Sequence, residues 1–202
     1  MEPLPDRPLV SLDTESPIWS HVFTVAPLVV VGTAEGDGYD LAPKHMAFPL
    51  GWGNHFGVVC TPNHRTYHNA RREGAFTVTY VRPSAVLLAG LAASGRADGP
   101  GAKPVLAQLP TFPAEFVQGR FLEGGYLFLE CELDRIVDGF GENSLICGRV
   151  VAAHVAEDAL RVSDGDDAAM LHEAPLLAYL HPGRYAEVAE THAFPLPEGF
   201  SR

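Results

Sequence analysis

A mainly β fold, a small β-barrel with short helices, is what this sequence predicts, and three observations predict it. Tyr126 to Val137 and Asn143 to Val155 both alternate apolar and polar residues, and the Gly-bearing stretch Asp138-Gly139-Phe140-Gly141-Glu142 joins them as a long hairpin. The apolar run from Val22 to Ala34 ends in Glu35-Gly36-Asp37-Gly38, whose Asp-Gly step signals a second hairpin. Helical patterning is confined to short segments, so six or so strands must hide their apolar face by closing or packing the sheet on itself.

Taken in order, residues 1–20 form an N-terminal extension rich in proline and acids. It has no apolar segment behind a basic start, so neither a signal peptide nor a membrane span is expected. A single domain then covers 21–190. Its first strand run is broken by Pro27, and its partner, Tyr39 to Phe48, contains Pro43. A proline cannot donate to a ladder, so this strand belongs at an edge or a bulge. After the turn Gly51-Trp52-Gly53-Asn54, His55 to Cys60 is a short apolar strand, and Arg65 to Glu73 is a helix stopped by Gly74. Ala75 to Val81 alternates as Phe76, Val78 and Tyr80. Ala85 to Ala93 suits a short helix on the sheet, and the Gly/Pro-rich segment from Gly95 to Pro113 reads as an irregular connection. The acidic run Asp164-Gly165-Asp166-Asp167 reads as a loop with a helix cap. Leu176 to Glu190 reads as a loop with short elements, and 191–202 as a tail.

With 202 residues and 47% hydrophobic content the chain can bury a core. The formal charge of −11, from 14 Lys+Arg against 25 Asp+Glu, excludes a broad nucleic-acid or anionic-membrane surface. A cytoplasmic address is the expectation. Cys60, Cys131 and Cys147 are far apart and lack CxxC pairing, which indicates buried reduced thiols rather than a disulfide framework or a zinc site. Among His45, His55, His64 and His68 only His64 and His68 have i, i+4 spacing, with no carboxylate between them, so no metal site is assigned. Trp19 and Trp52 suit either a ligand cleft or ordinary packing.

The chemistry concentrates between Asp40 and Asn69. One strand run ends in Ala42-Pro43-Lys44-His45-Met46, another in Cys60-Thr61-Pro62, and His64-Arg65-Thr66-Tyr67-His68-Asn69 opens a helix. A helix start offers unpaired N–H groups and a positive dipole end; Arg65 adds a permanent cation, and Thr66 and Asn69 add neutral donors. An anion, phosphate above all, is the expected occupant. The competing reading is an ordinary exposed helix start capped by Thr61.

Asp40-Leu41-Ala42-Pro43, Arg65-Thr66 with Asn69, Gly74-Ala75-Phe76-Thr77-Val78, Glu130-Cys131-Glu132-Leu133 and Gly148-Arg149-Val150-Val151-Ala152-Ala153-His154-Val155 together resemble the flavin reductase family, over about Val22 to Tyr185. The resemblance implies an FMN-binding split barrel, homodimeric, holding FMN or sometimes FAD near the subunit interface. It implies transfer of reducing equivalents from NAD(P)H to the flavin, in many members for a partner flavin-dependent oxygenase. By the same resemblance Ala42, Pro43, Lys44, His45, Met46 and Ala47 border the isoalloxazine, and Cys60, Thr61 and Pro62 lie along the ribityl chain. Arg65, Thr66 and Asn69 hold the phosphate. His154 and Tyr185 match positions near the flavin or nicotinamide and are the candidate catalytic residues. Where the family often has Ala-Pro-x-Ser this chain has Ala42-Pro43-Lys44-His45, which passes a hydroxyl contact to Lys44 or His45. Asn63-His64-Arg65-Thr66 likewise replaces a Lys/Arg-Asp-Thr run. Two rival readings keep the fold: a flavoprotein whose tightly held FMN reduces another acceptor, and a flavin-binding protein without turnover.

Overall fold

In the computed structural model, which describes residues 9–97, 103–161, 166–197 and 199, the first apolar run divides at Leu28 into two strands of different sheets. Strand β1 (Thr24–Pro27) pairs far away in sequence, while β2 (Val29–Glu35) forms the expected hairpin with β3 (Gly38–Lys44). Glu35 pairs with Gly38, so the reversal is Gly36-Asp37, one residue ahead of the expected Asp-Gly step, and Gly36 takes the positive φ of 58°. Pro43 lies on an edge strand, as its missing donor requires.

The chain continues through β4 (Ala47–Pro49), β5 (His55–Cys60), α1 (Arg65–Glu73) and β6 (Ala75–Val81). Gly74 ends α1 in the left-handed region at φ 68° and donates its N–H to the Ala70 carbonyl. Helix α2 (Val86–Leu91) follows a 3-10 turn, Pro83–Ala85. The segment expected to be irregular carries a second 3-10 turn, Pro104–Gln108, and β7 (Thr111–Pro113), which pairs with β8 (Arg120–Leu122); its residues 98–102 lie outside the described ones. Strands β9 (Gly125–Phe140) and β10 (Asn143–Val155) make the long hairpin. Their turn is shorter than the five residues expected. Asp138 and Gly139 stay in β9, because the Asp138 carboxylate accepts hydrogen bonds from Tyr67 Oη at 3.1 Å and Ser144 Oγ at 2.6 Å, and the chain reverses at Gly141-Glu142.

Asp164 and Gly165 of the acidic run lie outside the described residues, but Asp166 caps α3 (Asp167–Glu173) through the Ala168 and Ala169 N–H groups. The segment read as a loop with short elements is a hairpin, β11 (Leu176–His181) with β12 (Arg184–Val188). Its strands are too short for periodicity to identify them, and β11 also pairs with β1, about 150 residues earlier, a partner that local reading does not reveal. Within the N-terminal extension the described part holds a 3-10 turn at Ile18–His21; residues 1–8, and 198 and 200–202 of the tail, are outside the described ones.

The main sheet has the antiparallel order β3-β2-β6-β9-β10-β5-β4, and β1-β11-β12 form a smaller sheet. The two edges of the main sheet, β3 and β4, are two residues apart in the chain. The sheet must therefore curl until its edges meet at His45-Met46, where Val59 N–H donates to the Met46 carbonyl at 2.8 Å. The interior holds Val29, Val31, Phe56, Val58, Phe76, Val78, Cys131 and Ile146, with Tyr67 and Ala70 of α1 closing one end. On the outer side Val30, Leu41 and Val81 pack against Ala85, Ala89 and Ala92 of the α2 segment. β2 is covered on both faces, which explains why Val29, Val30 and Val31 are apolar in succession rather than in alternation. Gly32 is required there, since a Cβ would lie 2.3 Å from the Arg120 carbonyl oxygen. Cys60, Cys131 and Cys147 are buried and free.

One buried charge ties the 115–117 loop to the sheet. The Glu130 side chain is fully buried, and its carboxylate accepts N–H bonds from Glu115, Phe116 and Val117 at 3.0, 2.6 and 2.9 Å. Burial alone would raise its pKa, but the three amides and His154 outweigh it and hold the group below the ordinary carboxyl value. Glu130→Leu strands three donors and is expected to lower stability by about 3 to 5 kcal/mol in urea unfolding.

Candidate functional site

The end of β3 and the start of α1 meet over a cleft of about 400 Å³ lined by β3, the β5–α1 turn and the stretch after α2. Ala42, Pro43 and Lys44 come from β3, and Asn63, His64, Arg65 and Thr66 from the helix start. Ser94, Gly95, Arg96 and Lys103 come from the connection. Four cations, Lys44, Arg65, Arg96 and Lys103, converge on it. Among the described residues Glu35 and Asp40 are the carboxylates paired with them, so cations outnumber carboxylates there in a protein whose formal charge is −11.

The charges alternate in space. Glu35 lies 3.7 Å from Arg65 and 2.7 Å from Arg96; Asp40 lies 3.2 Å from Arg96 and 3.5 Å from Lys103. Lys103 is nearly buried and donates to the Leu41 carbonyl at 2.7 Å and to the Ala92 carbonyl. Burial lowers its pKa, with Asp40 acting in the opposite direction. At the other end of the cleft Lys44 Nζ lies 3.5 Å from Cys60 Sγ and 3.4 Å from His64 Nδ1. Burial and the Lys44 charge hold His64 below the usual imidazole pKa, so it accepts from the lysine. The N-cap position of α1 is His64, which makes no side-chain cap; Tyr67 N–H donates to the His64 carbonyl at 3.1 Å, and no side chain caps the Arg65 and Thr66 amides of the first turn. Thr61 is not the cap: its hydroxyl accepts from Asn63 N–H at 3.4 Å within the turn.

The expected site residues divide into three groups. Ala42, Pro43, Lys44, Arg65 and Thr66 line the cleft, and buried Cys60 touches it through Lys44. His45, Met46 and Ala47 form the adjoining barrel corner, and Thr61 and Pro62 the turn into α1; none of these five lines the cleft. Asn69 is not brought to the cleft either. It is wholly buried, with its amide donating to Thr33 Oγ1 at 3.1 Å and accepting from Arg72 at 3.1 Å, which makes it a link between α1 and β2. Arg96 and Lys103 went unrecognised because they sit in a Gly/Pro-rich connection without periodicity. Their signal was only that two cations stood among small residues.

His45 stacks on Tyr179 at a centroid distance of 4.7 Å and on His181 at 5.4 Å, which docks the small sheet against the barrel corner. Burial, His181 and Lys44, in that order, depress its pKa, so the imidazole is neutral at neutral pH. Tyr185 is the cross-strand partner of Tyr179 and half exposed on the same face. His154 is elsewhere. It stands at the end of β10 remote from Cys60, which pairs with Ser144, and its Nε2 lies 3.7 Å from Glu130, so within one chain it does not meet the cleft. Among the described residues no group of three or more His, Cys, Asp or Glu is placed to hold a metal ion, and no helix is long and apolar enough to cross a membrane.

A family model described as flavin reductase like domain matches residues 22–188. A comparison with curated proteins finds no match. Among solved structures the chain is similar to flavoredoxin from Methanosarcina acetivorans (17% identity, 96% of this chain and 98% of that one, TM-score 0.75). It is similar to an FMN-binding protein from Thermus thermophilus (23%, 92% and 99%, TM-score 0.74) and to nitrilotriacetate monooxygenase component B from Bacillus cereus (20%, 94% and 100%, TM-score 0.76). At these identities the likeness is one of fold, and the fold is that of split-barrel proteins.

A pH dependence follows from the two depressed imidazoles. The folded chain resists protonating His45 and His64, so the unfolded chain binds protons first as pH falls through 6.5. Their stability contribution is complete above that pH and declines below it, a window separate from that of Glu130, whose contribution is lost only below 4.5. In an NMR titration the His45 ring is expected to titrate below 6.5, and His181→Gln to move it back toward that value.

Proposed function

The chain belongs to the flavin reductase-like family, and on that premise we propose that it is an FMN-binding oxidoreductase that takes reducing equivalents from NADH or NADPH and passes them to flavin. The observation that carries this reading is the gathering of Lys44, Arg65, Arg96 and Lys103 around a start of α1 that has no side-chain cap, on an otherwise acidic protein. A phosphate monoester brings about 1.5 to 2 negative charges near pH 7 and three acceptor oxygens, which suits that gathering. FAD, whose phosphates carry the same chemistry, is the larger alternative.

When bound, the flavin supplies the hydride-accepting and hydride-releasing chemistry. The residues of the chain have simpler tasks. Arg65, Thr66 and the first amides of α1 would hold the phosphate, with Arg96 and Lys103 setting the field around it. Lys44, fixed between Cys60 and His64, would place a cation beside the ring and stabilise the negative charge that accumulates there on reduction. Neutral His45, packed on Tyr179, would shape the ring end, with Tyr185 beside it. The reading gives His154 no role within one chain. No GxGxxG segment with a trailing acid occurs in the sequence, so the nicotinamide would be gripped by the shape of the barrel mouth.

We further propose a homodimer acting in the cytoplasm, with a flavin-dependent oxygenase as consumer of the reduced flavin. The similarity to a monooxygenase component supports the last point.

The purified protein is expected to bind FMN, with the flavin absorption bands bleaching on anaerobic addition of NADH or NADPH; bands that persist with both would overturn the enzyme reading. Arg65→Ala is expected to weaken FMN binding by about 1.5 to 3 kcal/mol without unfolding the protein, read by fluorescence titration and circular dichroism. Lys44→Met is expected to make the midpoint potential of bound FMN more negative, and an unchanged potential would remove Lys44 from that role.

A further inference from the structure

We infer that Arg96 is a positioning residue that frees Arg65 for the anion by holding Glu35 away from it. The inference rests on the reading of the cleft as a phosphate site and adds a part that neither the sequence pattern nor the family assignment supplies.

Glu35 has two guanidinium neighbours and treats them unequally. Arg96 Nη2 donates to Oε2 at 2.7 Å, a short charge-assisted bond, whereas Arg65 Nε is 3.7 Å from Oε1, beyond hydrogen-bond range. Arg96 is also held from its other side by Asp40 at 3.2 Å, and Asp40 faces Lys103 at 3.5 Å. Five groups therefore run in the order Arg65, Glu35, Arg96, Asp40, Lys103 with alternating sign. Of the inner members Asp40 is buried, and Glu35 and Arg96 are partly buried. Arg65, at the open end, is the most exposed, with 38% of its side chain accessible against 17% for Arg96.

This arrangement has a chemical consequence. Glu35 sits at the tip of the β2–β3 hairpin beside the first residue of α1, where an unattended carboxylate would pair with Arg65 and repel an incoming anion. Arg96 engages that carboxylate instead. Arg65 keeps a full positive charge, loosely attracted to Glu35, and turns to a phosphate at small cost. Arg96 thus acts through Glu35, although it lines the same cleft.

A double-mutant cycle separates this role from direct contact. Dissociation constants for FMN are measured by flavin fluorescence for the wild type, Glu35→Gln, Arg96→Gln and the double variant, with riboflavin as the phosphate-free control and thermal melts for each protein. Arg96→Gln is expected to weaken FMN binding by about fivefold, and Glu35→Gln to tighten it by about threefold, the scale of a partly exposed charge pair. The double variant is expected to return to within about twofold of Glu35→Gln, with riboflavin affinity unchanged throughout. A double variant as weak as Arg96→Gln would make Arg96 a direct ligand and overturn the inference. Should Arg96→Gln fail to fold, Glu35→Gln decides alone: unchanged or weaker FMN binding overturns it. A wild type that binds FMN no more tightly than riboflavin overturns the phosphate reading itself, a result distinct from either failure.

Discussion

Two residues, His45 and Met46, separate β3 from β4, and these strands form opposite edges of a seven-stranded sheet. So short a link leaves the sheet no choice but to curl until its edges meet. The curl encloses the core around Phe56, Phe76 and Ile146 and gives α1 an open end to close with Tyr67 and Ala70. It also fixes where a site can form. The helix start is held beside this corner by the Asn69–Thr33 bond and the side-chain contacts of Lys44.

Charge is distributed around that corner against the trend of the whole molecule. Acidic residues outnumber basic ones overall, yet the cleft gathers four cations, and its two carboxylates are shared between them. Such sharing keeps buried cations tolerable, because each inner charge has an opposite neighbour, while Arg65 at one end stays the most exposed of the series. The neutral state of His64 and His45 belongs to the same economy: with Lys44 already charged, a second cation in partly buried surroundings is disfavoured.

Much of this was legible in the chain, and the reason is local. His55–Cys60, Arg65–Glu73 and Ala75–Val81 fall where periodicity and Gly74 place them, since strand alternation and a helix stop depend on near neighbours. Arg65 and Thr66 were readable as the opening residues of α1 for the same reason. The structure turns Asn69 to β2 rather than to the cleft, a choice that the helix pattern alone does not make. Arg96 and Lys103 were overlooked because a Gly/Pro-rich connection has no period, and their positions depend on contacts with Asp40, Leu41 and Ala92.

By itself the sequence determined a mainly β domain, an edge or bulge position at Pro43, a helix opening at Arg65, buried thiols and a family membership carried by several spaced motifs. Only the tertiary structure decided that β3 and β4 are the two edges of one sheet, that β1 and β11 join across about 150 residues, and that Glu35, Asp40, Arg96 and Lys103 alternate around one cleft. The division has one physical cause. Backbone periodicity and turn preference are set by neighbouring residues, whereas a cluster of charges exists only where distant segments are forced together and must satisfy one another out of water.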